Sequence, residues 1–436
     1  MMNNVTRRNF VKTSAAVSSF MILPSHVWAD SPNEKLCTAH IGIGGKGRSD
    51  TSSIASHPHV QVIGLCDVDT ALSKSEAALQ KYSSAQFFQD YREMFSELGD
   101  KIDAVSVSTP DHTHYPATLA AMEMGKHAYT QKPLTHTIEE GRHLLQIANE
   151  RKLVTQMGIQ NHGSGAYRSA TEIIQSGVLG KIRKVHAWSN KNWGFDGAPY
   201  QGEDPIPASL DWNLWLGTAP VRPYLGKKYH PKNWRRIIDF GCGTLGDMGV
   251  HIIDTPFRAL ELQAATDAET TCRAPNGFSH PESNIVNYGF APTKYTTDDF
   301  RFTWYDGQNR PDVDYAELTL ENGKIALQGS LFIGEHGRML LPHCSTPIVR
   351  LNDANAKSET PVLKTLNHYH EFIDAIEGKG QASADFAYAT PIMESLHLGV
   401  IAAKFPKQKL VWDAKAVKVT NLPEANEFIR KEYRTL

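Results

Sequence analysis

The sequence is poor in cysteine, has no excess of basic residues and has no long apolar run beyond residue 30. Its five cysteines are widely separated and form no C-x-x-C pair, which excludes the usual zinc and dithiol redox motifs; a Cys272–Cys344 disulfide stays open. Lysine and arginine number 45 against 47 aspartates and glutamates, so we expect no nucleic-acid partner. A chain of 436 residues without repeats or low-complexity linkers is typical of a two-domain globular protein.

The first 29 residues resemble a twin-arginine export signal. Arg7 and Arg8 precede a largely apolar run over residues 15–23, and small residues precede the expected cleavage after Ala29. This run is shorter than the roughly 20 residues of a membrane-spanning helix, although an ordinary secretory signal or a short membrane anchor stays an alternative. We therefore expect export by the twin-arginine pathway to the periplasm, and no membrane association after the signal is removed.

Strand-like and helix-like segments alternate from residue 37 to residue 157, which predicts an α/β domain with a doubly wound parallel sheet. The predicted strands are Cys37–Ile43, Val60–Cys66, Ala104–Val107, His127–Thr130 and Leu153–Met157. The predicted helices are Arg48–Ser56, Ala71–Lys81, Tyr91–Leu98, Tyr115–Met124 and Ile138–Glu150.

Beyond Gly158 the regular alternation stops. Residues 193–240 are rich in proline, glycine and tryptophan without periodicity, which is typical of a functional loop. An Asn322-Gly323 turn indicates a hairpin between two of the later strands. The predicted elements of this part are the helices Tyr167–Ser176, His370–Ile376 and Thr390–Ala403 and the strands Lys184–Asn190, Tyr315–Leu320, Lys324–Gln328 and Ser330–Ile333.

A G-x-G-x-x-G motif at Gly42, Gly44 and Gly47 follows the first predicted strand and precedes a helix. In this context the glycines permit a tight turn and a close approach to a pyrophosphate at the helix N-terminus. Asp67 ends the second strand, where a carboxylate binds ribose hydroxyls and repels a 2′-phosphate; Asp69 is the competing candidate. The motif therefore predicts a dinucleotide site that favours NAD over NADP.

Two further segments follow strands of the same predicted sheet, at the edge where such sheets bind ligands. Thr109 and Pro110 begin a stretch that contains two histidines, His112 and His114, either of which could face the cofactor. Lys132, between Gln131 and Pro133, follows the next strand. A partly desolvated lysine there can hold a substrate hydroxyl by hydrogen bonding and ease its deprotonation.

Asp247 and His251 lie four residues apart on a predicted helix and so share one face. A histidine can take the proton of an alcohol while a neighbouring carboxylate orients it. Such a pair also suits a metal ion, but no third ligand has clear spacing, so we predict no metal. These two residues and Lys132 indicate the transfer of a hydride and a proton.

These motifs, in this order, resemble the Gfo/Idh/MocA oxidoreductase family over essentially the whole mature chain. The resemblance implies a Rossmann NAD-binding domain over residues 30–158 and a C-terminal α/β domain with an open, mostly antiparallel sheet over residues 159–436. That second domain often mediates oligomers, so we expect a homodimer or homotetramer. By position Lys132, Asp247 and His251 match the family's catalytic residues, whereas Gln131 departs from its usual glutamate. The predicted cofactor contacts are Gly42, Gly44, Gly45, Lys46, Gly47, Asp67, Thr109, Pro110, His114, Gln131 and Lys132.

The expected substrate is a small sugar, polyol or glycoside. Gln160, Asn161 and His162 open the second domain, and their amide and imidazole groups suit hydroxyl recognition. Trp193 is the predicted aromatic contact, because aromatic rings stack on the apolar faces of sugars. Trp188, Trp212, Trp215 and Trp234 surround the same loop, and we expect one or two of these tryptophans to contact substrate.

Export adds a constraint, since no pool of free NAD is expected outside the cytoplasm. We therefore expect a cofactor that stays bound and is recycled, either in a sugar or polyol oxidoreductase or in a glycoside hydrolase that works through a transient keto-sugar. A non-catalytic sugar-binding protein is the third alternative. The complete set of lysine, aspartate and histidine argues against it.

Overall fold

The computed structural model describes residues 35–73, 81–356 and 361–435. The predicted export signal and the middle of the predicted helix Ala71–Lys81 lie outside the described residues. From residue 35 onward the chain forms one compact unit. All five cysteines are free thiols, so the disulfide that the sequence left open is not formed. No described helix combines the length and the apolar character that crossing a membrane requires.

The first sheet has six parallel strands in the order β3-β2-β1-β4-β5-β6, as predicted for a doubly wound domain. The edge strand β3 was not predicted, because only three residues form it. The strands are β1 Leu36–Ile41, β2 Val60–Cys66, β3 Gln86–Phe88, β4 Ala104–Val107, β5 His127–Gln131 and β6 Thr155–Gly158. The helices around them are Gly45–Ile54, Tyr91–Leu98, Asp111–Glu123 and Ile138–Arg151, with a short turn of helix at Thr70–Ser73.

The second sheet has nine strands in the order β13-β12-β11-β7-β10-β9-β8-β14-β15. Only the pairing of β7 with β10 is parallel, so the sheet is mostly antiparallel, as expected. The strands are β7 Ile182–Ser189, β8 Asp267–Thr271, β9 Ile285–Gly289, β10 Thr296–Asp306, β11 Gln328–Gly334, β12 Gly337–Pro342, β13 Ile348–Leu351, β14 Lys409–Asp413 and β15 Lys418–Val419. The helices of this part are Gly165–Gln175, Trp212–Leu216, Val250–Leu260, His368–Ile376 and Phe386–Ala402.

Two predicted strands before β11 are wrong. Tyr315–Leu318 is a turn of 3₁₀ helix, and the only ladder contact in this region is an isolated bridge between Thr319 and Ile325. The predicted turn at Asn322-Gly323 is present, with Gly323 at φ +77°. The β-branched and apolar residues that suggested strands are too few to pair over a full ladder.

One apolar core joins the two sheets. Met122 and Leu144 of the first sheet's helices belong to the same buried cluster as Ile252 and Leu396. Arg142 supports this contact by a bidentate bond to Glu394, whose side chain is nearly buried. The segments that follow β4 and β5 contact the stretch that leads into the helix Val250–Leu260, through Asp111 with Cys242 and Lys132 with Asp247.

Candidate active site

The glycine turn connects β1 to the helix Gly45–Ile54, which begins three residues earlier than predicted. Gly42 has a φ of +78°, and a Cβ atom there would lie 2.7 Å from the carbonyl oxygen of Ser108. A Cβ atom at Gly47 would overlap the carbonyl oxygen of Gly42. Only glycine fits these two positions, which keeps the turn tight and leaves the start of the helix open to an anionic group.

The glycine turn borders a cavity of about 800 Å³. This volume is within the range of roughly 300–1,000 Å³ for ligand and cofactor sites, and the cavity lies at the carboxyl ends of the parallel strands, where dinucleotides bind. The turn and the cavity therefore fit a dinucleotide. Predicted site residues that line the cavity are Gly42, Gly44, Gly45, Lys46, Asp67, Thr109, Pro110, Gln131, Lys132, Trp193 and Asp247.

Asp67 both lines the cavity and holds the glycine turn. Its Oδ2 accepts hydrogen bonds from the amides of Ile43 and Gly44, both at 2.9 Å, and its Oδ1 accepts one from the amide of Asp69 at 3.0 Å. Burial raises the pKa of Asp67, and these three amides oppose the rise. Of the two candidate carboxylates at this end, Asp67 is the one at the cavity wall.

Asp69 instead attaches the long loop after β7 to the first sheet. Its carboxylate is 2.8 Å from Nε2 of His230 and accepts a hydrogen bond from Ser209 at 3.0 Å. The amide of Asp211 donates to the carbonyl of Val68 at 3.0 Å. The loop consequently forms a wall of the nucleotide cavity through Lys191, Trp193, Leu214, Trp215, Gly217, Thr218, His230, Pro231, Lys232, Trp234 and Arg235.

Lys132 and Asp247 meet at the other end of the cavity, although 115 positions separate them. The ammonium of Lys132 donates to Oδ1 of Asp247 at 2.8 Å and to its backbone carbonyl at 2.7 Å. Arg235 Nε donates to the same Oδ1 at 3.0 Å. Burial by itself raises the pKa of Asp247, but the charges of Lys132 and Arg235 outweigh burial and hold this pKa well below its ordinary range. Asp247 is therefore a carboxylate with two cationic partners.

His251 does not form the predicted pair with Asp247. Residues Leu245–Gly249 form one π-helical turn ahead of the helix Val250–Leu260, so residues four apart no longer stack as they do in an α-helix. The two cations also satisfy Asp247 more strongly than a neutral imidazole does. Among the described residues no hydrogen bond joins Asp247 to His251, and the buried Nδ1 of His251 has no partner.

A second imidazole, that of His343, lies beside His251 with the ring centroids 5.7 Å apart. His343 follows β12, and its Nδ1 is 2.7 Å from the hydroxyl of Tyr167. Burial, and then the charge of Lys132, lowers the pKa of both histidines, so both are neutral near pH 7. Within the described part of the chain, neither imidazole borders the cavity, which ends at Lys132 and Asp247.

Sequence reasoning missed His343 because β12 was not predicted. Without that strand, nothing places the loop after Pro342 next to β5. The one available signal is the residue itself, a histidine directly after an apolar run. A histidine in such a position is common, so the signal does not point to a site.

Gln131 is accounted for by a buried network beneath the glycine turn. Its Nε2 donates to Oδ2 of Asp50 at 2.8 Å. Asp50 is fully buried, accepts hydrogen bonds from Ser108 and Tyr369 at 2.9 and 2.7 Å, and pairs with Lys46 at 2.9 Å. A glutamate at position 131 would bring a second carboxylate against Asp50. The network around Asp50 therefore requires a neutral hydrogen-bond donor at position 131, which the amide of Gln131 provides.

His114 was predicted to contact the cofactor, but in the structure its side chain lies between two backbone carbonyls and does not line the cavity. Its Nδ1 is 2.7 Å from the carbonyl of Pro133, and its Nε2 is 2.8 Å from the carbonyl of Thr109. The side chain is buried, and both nitrogens are engaged within the protein. His114 therefore joins the Thr109 loop to the Lys132 loop. His112 is likewise buried, between carbonyls of the long loop.

Asp111, between those residues, lines the cavity and was not singled out from the sequence. Its Oδ2 accepts the amide of Cys242 at 3.0 Å. Burial raises the pKa of Asp111 to about 7, in spite of the opposing charges of Arg235 and Lys132. A carboxyl group that titrates near neutrality thus stands at the cavity wall.

The three predicted substrate contacts in the turn Gln160–Gly163 have partners within the protein. His162 Nδ1 is 2.9 Å from Asp254, and both side chains are buried, so His162 cannot contact a substrate as predicted. Gln160 donates to Tyr129 and to its own turn. Asn161 donates to Sγ of Cys344 at 3.2 Å, which places it next to His343. Of the three, only Asn161 lies near the imidazoles.

Trp193 does line the cavity. The guanidinium of Arg235 lies 5.4 Å from the Trp193 ring and 4.2 Å from the Trp234 ring. The indole Nε1 of Trp193 is buried without a hydrogen-bond partner. Trp188, by contrast, is fully buried in the second sheet. Aromatic faces and a cation therefore stand together beside Asp247.

Two family models match consecutive parts of the chain. Residues 37–159 match the NAD-binding Rossmann fold of the Gfo/Idh/MocA oxidoreductase family, and residues 166–436 match its C-terminal alpha/beta domain. The NADP⁺-dependent scyllo-inositol 2-dehydrogenase IolW of Bacillus subtilis (strain 168) is 24% identical over 243 residues, 56% of this chain and 57% of that protein. A glycosyl hydrolase family 109 protein of Shewanella putrefaciens is 27% identical over 209 residues, 42% of this chain and 45% of that protein. The chain spans about half the length of these curated relatives.

Among solved structures, the WlbA dehydrogenase of Chromobactrium violaceum, in complex with NADH and UDP-GlcNAcA, superposes with a TM-score of 0.65. It is 15% identical, and the superposition covers 88% of this chain and 98% of that one. This likeness shows the shared fold. The matched family models cover most of the sequence, so the chain belongs to the Gfo/Idh/MocA oxidoreductase family and carries its NAD-binding Rossmann domain.

Proposed function

We propose that this protein is an exported NAD-dependent oxidoreductase that acts on the CH–OH group of a sugar or polyol and retains its cofactor. One observation carries the proposal: Lys132 and Asp247 pair at the end of a glycine-lined cavity. The relative named scyllo-inositol 2-dehydrogenase supports the substrate class. Asp67 at the adenosine end favours NAD over NADP, because a carboxylate repels a 2′-phosphate.

Lys132 binds and polarises the substrate oxygen. An ammonium has three donors, and two of them are used by Asp247, which leaves one for a substrate hydroxyl. Bound NAD supplies the hydride acceptor. The positive charge of Lys132 stabilises the oxygen as it loses its proton, an effect that is stronger in a site from which water is excluded.

We propose His251 as the acceptor of the substrate's proton, although its ring lies outside the cavity wall in this structure and must approach the substrate when the site fills. Its Nδ1 is buried without a hydrogen-bond partner, and burial lowers its pKa, which keeps the ring unprotonated near pH 7. Asp247 positions Lys132 and does not exchange a proton, because its own pKa is far too low. His343 lies adjacent to His251 and is a second imidazole outside the cavity wall.

The long loop supports retention of the cofactor. It borders the same cavity as the glycine turn and is fastened at Asp69 by bonds to His230 and Ser209. A nucleotide in this cavity would contact the loop along one wall, which would slow its release. The twin-arginine pathway carries folded proteins, so the nicotinamide could be exported already bound.

A second candidate is a glycoside hydrolase that oxidises one ring carbon transiently, eliminates the aglycone, adds water and returns the hydride. The match to a glycosyl hydrolase family 109 protein favours it specifically. It needs the same Lys132, His251 and retained cofactor, so the two candidates differ in substrate and not in the cofactor site.

One experiment separates these candidates. The mature protein is purified, its bound nicotinamide is recorded by absorbance, and monosaccharides and chromogenic glycosides are offered without added acceptor. A change in bound NADH on free sugar, without cleavage, supports the oxidoreductase. Released aglycone without net NADH change supports the hydrolase. A bound nicotinamide that responds to neither class contradicts both and leaves a sugar-binding protein.

A further inference from the structure

A cluster of metal-ligating side chains lies outside the cavity, where the loop between the helix Gly45–Ile54 and β2 meets the helix His368–Ile376. It contains three histidines and two carboxylates. Nitrogen and oxygen ligand atoms of His57, Asp374 and Glu377 lie within 4.8 Å of one another. His59 and His370 complete the group, which we name the inter-sheet cluster.

The rings of the inter-sheet cluster are packed around His57. Its ring centroid lies 5.3 Å from that of His59 and 5.0 Å from that of His370. Nε2 of His57 is 3.3 Å from Oδ1 of Asp374, and Nδ1 of His59 is 2.5 Å from Oε1 of Glu377. In both pairs a ring nitrogen lies next to a carboxylate oxygen, and the ammonium of Lys379 also pairs with Glu377 at 2.8 Å.

We propose that the inter-sheet cluster is a binding site for a divalent cation of the zinc type, with Nε2 of His57 and the carboxylates of Asp374 and Glu377 as ligands. Imidazole nitrogen and carboxylate oxygen are ligands that Zn²⁺ accepts at about 2.0–2.2 Å. Two such ligands in tetrahedral geometry are about 3.4 Å apart. The separation of 3.3 Å between His57 and Asp374 matches this distance. It is longer than the roughly 2.8 Å of a charge-assisted hydrogen bond.

The hydrogen bonding of His57 must change when a cation binds. Nδ1 of His57 accepts the amide of His59 at 3.2 Å. A cation on Nε2 puts the proton on Nδ1, and the amide of His59 then loses this acceptor. One long hydrogen bond is exchanged for metal–ligand bonds.

A cation here would join the two halves of the chain. His57 belongs to the first sheet's surroundings, whereas Asp374 and Glu377 belong to the second part. The same helix carries Tyr369, which donates to Asp50 beneath the glycine turn. The cation would thus fix a helix that reaches the nucleotide end of the cavity, without touching Lys132 or Asp247.

The test uses the full mature protein, freed of metal with a chelator, and Zn²⁺ or Co²⁺ as the probe. Equilibrium dialysis should give one tightly bound Zn²⁺ per chain, added Zn²⁺ should raise the melting temperature, and Co²⁺ should show the visible absorption of a low-symmetry nitrogen and oxygen site. Asp374→Asn and Glu377→Gln should each weaken Zn²⁺ binding at least about 10-fold. His336→Ala, at an exposed histidine elsewhere, should bind as wild type does.

Both carboxylate variants change partly exposed side chains, so folding is expected to persist and is checked by the metal-free melting temperature and the bound nicotinamide. His57→Asn is added as the variant that removes the nitrogen ligand. Absence of Zn²⁺ binding by the wild type overturns the proposal. So does equal binding by wild type and both carboxylate variants, because the ion would then be held elsewhere.

Discussion

One carboxylate, that of Asp50, lies beneath the glycine turn, another, that of Asp247, lies at the reacting end of the cavity, and the two differ in the charge of their partners. Asp50, beneath the glycine turn, has one cation, Lys46, and otherwise neutral donors. Asp247, at the reacting end, has two cations, Lys132 and Arg235. The first arrangement is balanced and stabilises the fold. The second leaves a net positive charge where a substrate oxygen becomes negative, which is the arrangement that catalysis requires.

The largest expected effect tests whether the pair at the reacting end carries the chemistry. Lys132→Met removes the donor to the substrate oxygen and should lower kcat/KM by about 10²–10⁴-fold, the usual contribution of acid–base and electrostatic groups. Lys191→Met is the matched control, because Lys191 also lines the cavity and is not bonded to Asp247. Steady-state kinetics with bound nicotinamide as the loading control measure both. An equal decrease of kcat/KM in the two variants would mean that the summed positive charge of the cavity, and not the pairing of Lys132 with Asp247, causes the effect.

The second prediction concerns the balanced end. Gln131→Glu places a carboxylate against Asp50 and should lower the free energy of unfolding by about 3 kcal/mol near pH 7, as an uncompensated buried charge does. Gln131→Met only removes one donor and should cost about 1 kcal/mol. Denaturant unfolding measures both variants.

The pH dependence of the first variant has a definite sign. The new carboxyl should have a raised pKa in the folded state, so the loss of stability should grow as pH rises through that pKa and should vanish near the ordinary pKa of glutamate, about 4.3. A loss that does not depend on pH would mean that packing, and not charge, rejects glutamate here.

The third prediction concerns the imidazole at the reacting end. Because the pKa of His251 is well below 6.5, its basic form persists through neutral pH, and the acid limb of kcat/KM should lie below that value. Unfolded His251 binds a proton near 6.5 and folded His251 does not, so its contribution to stability is complete above 6.5 and is lost as pH falls below it. A pH–rate profile whose acid limb lies at or above 6.5 contradicts this role.

The smallest expected effect concerns the loop that covers the nucleotide end. Asp69→Asn weakens the contact with His230 and should speed the release of bound NAD about two- to fivefold, since a single polar contact of this kind contributes roughly 0.5–1 kcal/mol. Release is followed after dilution by the loss of bound nicotinamide. Asp353→Asn, at an exposed aspartate, should leave the release rate unchanged. Unchanged release from Asp69→Asn would mean that Asp69 does not hold the cofactor in.

The nucleotide end could be predicted from the sequence because its parts are consecutive. Gly42, Gly44 and Gly47 stand in one turn, and Asp67 stands at the end of the next strand, so local geometry alone brings them together. Lys132 and Asp247 were also singled out correctly as residues of one cavity. A lysine directly after a predicted strand and an aspartate on a predicted helix indicated a site. They did not indicate which groups each side chain would bond to.

The partners at the reacting end could not be predicted, because they come from segments far apart in the chain. Arg235 lies in a loop without periodicity, and His343 follows a strand that short apolar runs do not reveal. His162 was predicted to contact the substrate, but its side chain is buried and lies 2.9 Å from Asp254. The sequence also shows no sign of the π-helical turn that separates Asp247 from His251.

The sequence by itself determined the α/β class, the glycine turn and the dinucleotide site, and it singled out Lys132 and Asp247 as candidate site residues. Periodicity and turn chemistry act over a few residues, so they can be read from the sequence. Only the tertiary structure decided that two cations hold Asp247, that Gln131 serves Asp50, and that His343 joins His251. Those contacts depend on how one shared core brings the two sheets together. Packing determines which side chains lie close to one another, and their charges determine which of these pairs form bonds.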